Sequence, residues 1–363
     1  MSLNYAPGDA VFSADAPGRV EILGNHTDYN EGVVLAAAVD RTVRVRGNVR
    51  SDGRILLRST LYPAVEIAIS QLRPIRGESQ WANYPLGVVS ELAAAGIPIR
   101  GFSAVIETDL PARIGLGSSA ALGVATAFFL LKLHRCALPP MEIAKVCQRS
   151  EHRFIGIESG LLDQVASIFA KRDQLVFFDC RAEEVRPISF PDDLALVVAD
   201  SGTQRQLAQS EYNRRRKETR AAAAARGARS LRDVSSAQLN EDINLPPLLR
   251  SRAAHVISEN DRVWHAIDVL KQGDATALGD LMNASHESSR VNFENSTPEL
   301  DRLVDLARQQ QGVLGARLTG AGFGGAIVVL CKRRTAHGAA RALAAAAAQT
   351  LVCRPADGAL ARN

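Results

Sequence analysis

Alternating apolar and polar residues mark the first part of the chain as a region of β-strands. The alternation runs through residues 42–50 (TVRVRGNVR) and 64–70 (AVEIAIS), and residues 103–111 (SAVIETDLP) form a further candidate strand that a proline ends. Residues 120–133 are almost all apolar instead. They predict a helix that begins near Ser118 and is covered by protein on every side.

Helices and strands then alternate along the chain. We expect helices over residues 140–154 and 160–170, and strands over residues 174–180 and 194–202.

The pattern restarts between the prolines at positions 187 and 191. We therefore predict two domains, residues 1–188 and residues 189–363. Each is long enough to bury a core of its own.

The second half is richer in helix. Residues 243–274 predict a loop followed by a long helix, and residues 339–351 (AARALAAAAAQTL) predict a terminal helix because alanine favours helix. Residues 315–330 predict a strand, a glycine loop and a second strand. Residues 204–232 contain many arginines, and we expect a solvated helix face there. A nucleic-acid patch is the weaker alternative, since no aromatic residues stand between the charges.

Composition narrows the class of protein without deciding its function. The 363 residues are 46% apolar and 23% charged with a net charge of +4, which is typical of a soluble globular protein and suits an anionic ligand. The five cysteines are widely spaced, so we expect reduced thiols in a cytoplasmic protein. The amino terminus has no signal-peptide pattern and no segment approaches the roughly 20 apolar residues of a membrane span.

A glycine-rich approach leads into the predicted core helix at residues 110–133. Gly115 and Gly117 would let the backbone come close to an anion, and Ser118 and Ser119 stand where a helix exposes unpaired N–H groups. The segment indicates phosphate binding, although a serine-capped core helix would look similar. The usual P-loop pattern is absent.

Two further segments have unusual compositions. Residues 16–40 (APGRVEILGNHTDYNEGVVLAAAVD) crowd six polar residues into what looks like a turn-rich stretch, which suits a polyhydroxylated ligand or a plain surface turn. These residues are Arg19, Glu21, Asn25, His26, Asp28 and Tyr29. Residues 317–330 (RLTGAGFGGAIVVL) have the glycine pattern GxGxGG before a strand, so they are not a dinucleotide fingerprint.

Taken together, these three segments resemble the signature motifs of the GHMP kinases, in the same order. Within that family the chain is similar to the galactokinases over nearly its whole length, because GRVEILGNHTDYNEGVVL resembles their signature GRVNLIGEHTDYNGGxVL. Other matching segments follow in the corresponding order: WANYPLGVV, SGLLDQVASIFA, DCR, SEYNRRRKET, MNASHESSR and TPELDRLVDLA.

This resemblance implies a two-domain α+β kinase with mixed sheets and an active site in the interdomain cleft. It implies ATP and Mg²⁺ as cofactors and phosphorylation of galactose at its anomeric hydroxyl. Asp163 would be the catalytic carboxylate. Arg19 would stand between the hydroxyl and the γ-phosphate and neutralise developing charge.

The resemblance also implies a set of binding residues. Those for ATP would be Trp81, Gly115, Leu116, Gly117, Ser118, Ser119 and Ala120. Those for Mg²⁺ would be Ser119 and Glu151. Those for the sugar would be Asn25, His26, Asp28, Gly160 and Tyr212, besides Asp163. We expect a small-molecule sugar as the partner, with no nucleic acid and no membrane, and a monomer, with an oligomer left open.

One departure from the family motif opens an alternative substrate. Asn25 stands where galactokinases have the Glu that faces the C6 hydroxyl of the sugar. Loss of a negative charge there would remove repulsion toward a carboxylate at C6, so a galacturonate or other C6-modified hexose kinase stays open. Gly123 in place of a Glu and the lack of paired acids in SSRVNFENSTPELD favour the same alternative. A sugar sensor without turnover is a third hypothesis, weakened by the presence of both Asp163 and the segment Ser118-Ser119-Ala120-Ala121.

Overall fold

Two sheets organise the protein. The structure is a computed structural model that describes residues 11–111, 115–203, 208–241 and 244–362. The strands in chain order are Phe12–Leu23 (β1), Val33–Val49 (β2), Arg54–Ser59 (β3), Val65–Ala68 (β4), Phe102–Thr108 (β5), Gln174–Asp179 (β6), Glu184–Ser189 (β7), Leu194–Asp200 (β8), Val313–Thr319 (β9), Ala326–Lys332 (β10), Gln349–Cys353 (β11) and Leu360–Arg362 (β12).

Helices pack against both sheets. In chain order they are Asn83–Ala94 (α1), Ser118–Leu133 (α2), Pro140–Ser150 (α3), Leu162–Phe169 (α4), Ala208–Ala225 (α5), Ser236–Glu241 (α6), Pro247–Lys271 (α7), Ala275–Ser288 (α8), Pro298–Arg308 (α9) and Ala336–Ala344 (α10). The mixture of helix and sheet confirms the predicted α+β class.

The larger sheet is mixed. Its main path has the order β12-β1-β2-β5-β3-β4, and β6 and β7 continue from the other part of β2. Among the strand pairs of the described residues, β3 and β5 run parallel and the rest are antiparallel. The smaller sheet has the order β11-β8-β10-β9 and is antiparallel throughout.

The predicted division of the chain runs close to the change of sheet. β7 belongs to the larger sheet and β8 to the smaller. The carboxyl-terminal strand crosses back, because β12 pairs with β1 in a register that sets Asp15 opposite Leu360. The domain bounds 1–188 and 189–363 therefore stay a prediction. The pairing of β12 with β1 adds residues 360–362 to the sheet of the first domain.

Helix α2 is the core helix that its sequence predicts, and it begins at Ser118 as expected. Val124, Ala125, Phe129 and Leu130 are fully buried, and the helix contacts β1, β2, α1, α3 and α4. An apolar helix of this kind fixes the position of its own amino terminus, since every side of it is packed.

The segment over residues 16–40 is mostly strand, so its description as turn-rich was wrong. β1 and β2 pair antiparallel across it, and only residues 24–32 form the connecting turn. Both faces of these strands are covered, which replaces the alternation of an exposed strand with a nearly continuous buried run.

The predicted terminal helix over residues 339–351 was also wrong in its second part. Helix α10 ends at Ala344, and β11 begins at Gln349. β11 pairs with β8, so Thr350 lies opposite Ala199 and Val352 opposite Val197. Sheet pairing therefore overrides the helix preference of the alanine run.

The arginine-rich helix α5 is less solvated than predicted. Arg215 is only 3% exposed and donates to the backbone carbonyls of Phe293 and Glu294 at 2.7 and 3.0 Å. Arg216 packs over the ring of Tyr29 and bonds the carbonyl of Glu158. These contacts use both arginines inside the protein. The start of the predicted segment, residues 204–207, lies outside the described residues.

A close approach between α8 and β9 holds the smaller sheet against its helices. A Cβ atom on Gly279 would lie 2.3 Å from the carbonyl oxygen of Leu314, and one on Gly315 would lie 2.2 Å from that of Gly279. Since both obstacles are backbone atoms, neither can move aside like the end of a side chain.

We expect Gly279→Ala to lower the free energy of unfolding by about 2–3 kcal/mol, because α8 must shift away from β9. Gly338→Ala is the matched control. Gly338 lies within α10, and a Cβ there meets nothing within 4 Å, so alanine should stabilise by about 0.5–1 kcal/mol. Urea unfolding of the two variants checks both signs. Equal midpoints would contradict the close approach.

Candidate active site

A cavity of about 180 Å³ opens between the larger sheet, helix α4 and the loop after β9. Its wall includes nine of the residues predicted for catalysis, sugar and metal, together with Glu21, Ser159 and parts of two loops. The lining residues are Arg19, Glu21, Asn25, His26, Asp28, Ser119, Glu151, Ile157, Ser159, Gly160, Leu162, Asp163, Tyr212, Gly320 and Ala321.

Arg19 and Asp163 form a two-pronged ion pair in this wall. Nε of Arg19 donates to Oδ1 of Asp163 at 2.7 Å, and Nη2 donates to Oδ2 at 2.6 Å. Arg19 lies on β1 with 8% of its side chain exposed, and Asp163 lies in the first turn of α4 with 30% exposed. The pair therefore holds a carboxylate at the cavity surface while burying the cation behind it.

Arg19 also contacts the glycine loop that leads into α2. Its Nη1 donates to the carbonyl of Gly115 at 2.7 Å, and its backbone N–H donates to the carbonyl of Leu116 at 2.8 Å. A Cβ on Gly117 would lie 3.3 Å from the same guanidinium. One residue thus ties the predicted catalytic carboxylate to the predicted phosphate loop.

The loop itself has the backbone shape that an anion site needs. Gly115 and Gly117 have φ values of 79° and 68°, the left-handed region that glycine adopts readily. Gly117 precedes the first turn of α2 and no side chain caps that turn. Leu116 and Ala120 are buried and anchor the loop on both sides. Residues 112–114 of this segment lie outside the described residues.

A second cavity, of about 290 Å³, adjoins the start of α2. Ser118, Ser119, Trp81 and Tyr62 all line it. The indole of Trp81 is 7% exposed, stacks on the Tyr62 ring at 5.9 Å, and donates to the carbonyl of Pro63 at 3.1 Å. The sequence predicted Trp81 for this region and missed Tyr62, which stands in an ordinary loop with no distinguishing motif.

Glu151 and Ser119, the predicted metal residues, share the first cavity. Oγ of Ser159 donates to Oε2 of Glu151 at 2.7 Å. Burial raises the pKa of Glu151 to about 7, although the hydrogen bond from Ser159 partly opposes this rise by stabilising the ionised carboxylate. Among the residues that the structure describes, no cluster of three or more His, Cys, Asp or Glu side chains could hold a metal by itself. A divalent ion here would need oxygen ligands from a nucleotide as well.

His26 is held as a neutral imidazole. Its Nε2 lies 3.0 Å from the carbonyl of Ala321, which can only accept, so Nε2 carries the proton and Nδ1 accepts from the hydroxyl of Tyr29 at 2.8 Å. Burial lowers the pKa of His26 to about 3. The ring packs between Tyr212 and Phe293 at 5.3 and 4.5 Å. His26 therefore orients the cavity wall and carries no charge.

Asp28 is pressed against Gly160. A Cβ at Gly160 would lie 1.8 Å from Oδ2 of Asp28, so only glycine leaves room for this carboxyl. Burial, together with the nearby carboxyls of Glu21 and Asp163, raises the pKa of Asp28 to about 7. Such a group is an acceptor or a donor for a hydroxyl at neutral pH.

Asn25 has its amide engaged inside the protein. Nδ2 donates to Oε1 of Glu21 at 2.9 Å and to the carbonyl of Gly320 at 2.8 Å, and Oδ1 accepts from Nδ2 of Asn295 at 2.9 Å. Sequence reasoning noted Glu21 only as one polar residue among several. The signal it lacked is the contact between positions 21 and 25 across the end of β1.

Helix α7 fixes the turn that carries Asn25. Oε2 of Glu259 accepts from the backbone N–H groups of Gly24 and Asn25 at 3.0 and 2.9 Å. The neighbouring Arg262 and Arg317 lower the pKa of Glu259 despite its burial. His255 holds the carbonyl of Asn25 from the same helix. The sequence predicted this helix but not its role.

Three family profiles match the chain. The family profile described as "GHMP kinases N terminal domain" matches residues 83–171, and that of the "GHMP kinases C terminal" matches residues 266–349. The "Galactokinase galactose-binding signature" matches residues 4–48, which include β1, the turn and most of β2.

Similar proteins cover the chain almost end to end. A galactokinase of Roseiflexus sp. is 40% identical over 94% of this chain and 91% of its own length. The chain belongs to the galactokinase family of GHMP kinases. A galactokinase of Chloroflexus aurantiacus is 41% identical over 91% of this chain and 88% of its own length.

Solved structures of the family superpose on the same fold. The Lactococcus lactis galactokinase in complex with galactose has a TM-score of 0.92 and 31% identity, and the match covers 96% of this chain and 95% of that one. A mevalonate kinase at 19% identity and a TM-score of 0.67 shares the fold alone. The chain is thus a two-domain GHMP kinase and an ATP-dependent sugar kinase of the galactokinase type. None of its described helices has the length and apolar character needed to cross a bilayer.

We expect Gly160→Ala to lower kcat/KM at least about 100-fold in this galactokinase-family enzyme, because the methyl group displaces the Asp28 carboxyl from the cavity wall. Gly123→Ala is the control, since a Cβ there makes only ordinary contacts at 3.8 Å with Cys147 and Val88. Steady-state kinetics with a circular-dichroism melt of each variant separate activity from folding. Full activity in Gly160→Ala would contradict the assigned contact.

Proposed function

We propose that this enzyme transfers the γ-phosphoryl group of ATP to the C1 hydroxyl of galactose, with Mg²⁺. The observation that carries the proposal is the position of Arg19, which bonds both oxygens of Asp163 and the carbonyl of Gly115 in the glycine loop. A sugar hydroxyl and a phosphate would therefore meet at a single cation.

Asp163 would act on the hydroxyl. Each of its oxygens accepts one bond from Arg19 and keeps a further lone pair, so the carboxylate can accept the hydroxyl proton or stabilise its loss. Arg19 would oppose the charge that develops on the attacking oxygen and on the phosphoryl group. Phosphoryl transfer depends chiefly on such positioning and charge neutralisation.

The nucleotide would use the start of α2 and the neighbouring aromatic pair. The uncapped first turn of α2 exposes N–H groups and the positive end of the helix dipole, which favour phosphate. The cavity lined by Tyr62, Trp81, Ser118 and Ser119 joins this turn to an aromatic wall suited to a purine.

Magnesium would be held by Glu151 and the hydroxyl of Ser119, with the phosphates of ATP completing its shell. Mg²⁺ in kinases usually takes one or two protein ligands and keeps phosphate and water oxygens for the rest. The buried carboxyl of Glu151 and the hydroxyl of Ser119, which line the same cavity, match this coordination preference. The bound ion would neutralise phosphate charge.

The charge of the cavity favours galactose over galacturonate. Four acids line it: Glu21 and Asp163 form ion pairs with Arg317 and Arg19, whereas burial leaves Asp28 and Glu151 only partly ionised at neutral pH. A 6-carboxylate about 4 Å from one of these acids would be repelled by roughly 4 kcal/mol at an effective dielectric of 20. The argument from Asn25 thus loses its support, since a carboxylate is present at Glu21. The relatives named galactokinase agree with this choice.

The same proposal covers the setting of the enzyme. Its partner is a small sugar, and a cytoplasmic monomer remains our prediction.

A sugar panel tests the function. ADP release is followed with galactose, galacturonate, glucuronate, N-acetylgalactosamine and arabinose at equal concentration. We expect turnover with galactose and little with either uronate. Galactose binding by calorimetry without ADP release would favour a sensor, and galacturonate as the best substrate would reverse the choice of sugar.

Removal of the Asp163 charge should stop the chemical step. We expect Asp163→Asn to lower kcat about 10³-fold, because the amide cannot take the hydroxyl proton and pairs weakly with Arg19. Asp357→Asn is the control, since that acid pairs with Arg172 at an exposed site away from this cavity. A kcat in Asp163→Asn within tenfold of the wild type would refute the role.

Magnesium activation should depend on pH through Glu151. Because its pKa is raised to about 7, the carboxyl is mostly protonated at pH 6 and ionised at pH 8, so apparent Mg²⁺ affinity should rise about tenfold across that range. The measurement is the Mg²⁺ activation constant at saturating ATP. Glu151→Gln should weaken binding and flatten the slope. Ser159→Ala should move the midpoint to higher pH, because Ser159 stabilises the ionised carboxyl. An unchanged slope in Glu151→Gln would exclude Glu151.

A further inference from the structure

A buried carboxylate stands beside the catalytic pair. Glu21 follows Arg19 by two residues on β1, so both side chains leave the strand on the same face, roughly 6.6 Å apart along it. Glu21 is 4% exposed and lines the cavity. It therefore occupies the wall next to the reacting centre.

The two oxygens of Glu21 differ in their contacts. Oε1 accepts from Nδ2 of Asn25 at 2.9 Å and from Nη1 of Arg317 at 3.0 Å. Both hydrogen bonds that the described residues give this carboxylate end on Oε1. Oε2 is thus the acceptor that remains for a ligand, with the fully buried Arg317 as counterion behind it.

Asn25 has no hydrogen left for a ligand. Its two amide hydrogens go to Glu21 and to the carbonyl of Gly320, and its oxygen already accepts from Asn295. The amide is therefore placed to hold Glu21 in one rotamer. The quoted family signature has the amide at position 21 and the acid at position 25, so this chain has the two groups exchanged.

We propose that Glu21, held by Asn25 and Arg317, accepts the hydroxymethyl group of the sugar and rejects a carboxylate at the same carbon. The proposal rests on the proposed galactose kinase activity and names the residue that sets its specificity. Exchange of the two side chains keeps one acid and one amide in the same cluster, because strand and turn bring positions 21 and 25 together. The acid reaches the cavity from β1 instead of from the turn.

Three sugars that differ only at C6 test this assignment: galactose, 6-deoxygalactose and galacturonate. We expect the wild type to prefer galactose to 6-deoxygalactose about 100-fold in kcat/KM, since the unpaired acceptor penalises the missing hydroxyl. Glu21→Gln should lower kcat/KM for galactose about tenfold or more and change kcat/KM for 6-deoxygalactose little. The ratio of kcat/KM for galacturonate to that for galactose should be higher in Glu21→Gln than in the wild type.

A buried glutamate outside the cavity provides the control. Glu91 is 3% exposed and pairs with Arg149 and Arg153, so Glu91→Gln likewise removes a buried acid that is paired with arginine. It should leave the ratio of galactose to 6-deoxygalactose unchanged. If Glu21→Gln lowers the rates with both sugars equally, Glu21 acts only through the fold and the proposal is overturned.

The exchange variant Glu21→Asn with Asn25→Glu covers the case in which Glu21→Gln does not fold. It keeps the charge and the amide, and we expect it to retain a preference for galactose over 6-deoxygalactose of at least about tenfold. Loss of that preference would overturn the proposal. So would wild-type enzyme that uses galacturonate as well as galactose. Absence of turnover with every sugar would instead defeat the proposed function.

Discussion

The ion pair between Arg19 and Asp163 is the constraint on which the site depends. Arg19 uses three of its N–H groups, two on the carboxylate and one on the carbonyl of Gly115. A buried guanidinium is costly unless hydrogen bonds satisfy it in this way. The strand β1, the helix α4 and the glycine loop must therefore meet at fixed distances, and the two sheets and the core helix α2 provide that placement.

The acids around this cation are costly in the unliganded protein. Burial raises the pKa of both Asp28 and Glu151 to about 7, so ionising either one opposes folding. The sign follows from linkage: the stability these groups contribute is present at low pH and declines as pH rises through their folded pKa. A sugar that donates hydroxyl hydrogens, and a cation beside Glu151, would offset that cost. Asp28 and Glu151 thus lower the stability of the free protein and would contribute to the binding of its ligands.

Sequence patterns gave the scaffold more reliably than the surroundings of the site. The apolar run that became α2 and the alternation that became part of β2 depend on burial along one element, which a single segment encodes. Helix α10 ended early and Arg215 turned inward because of partners distant in sequence, namely β8 and the loop near Phe293. Glu151, Gly160 and Asp163 were identifiable only through the family resemblance, whereas the polar composition of residues 16–40 already marked the other wall of the cavity. Tyr62 and Glu259 carried no local signal.

Position 25 shows why a motif compared letter by letter can mislead about charge. Taken alone, Asn25 removes an acid and favours an anionic sugar. Its amide, however, lies 2.9 Å from the carboxylate of Glu21, so the cluster keeps its charge and changes only the element that supplies it. A ligand meets the field of the whole cavity, to which Glu21, Asp28 and Asp163 all contribute. In the proposed function, specificity at C6 would therefore follow from the side chains that converge in space. The transposed pair is chemically a much smaller change than two substitutions at separate sites.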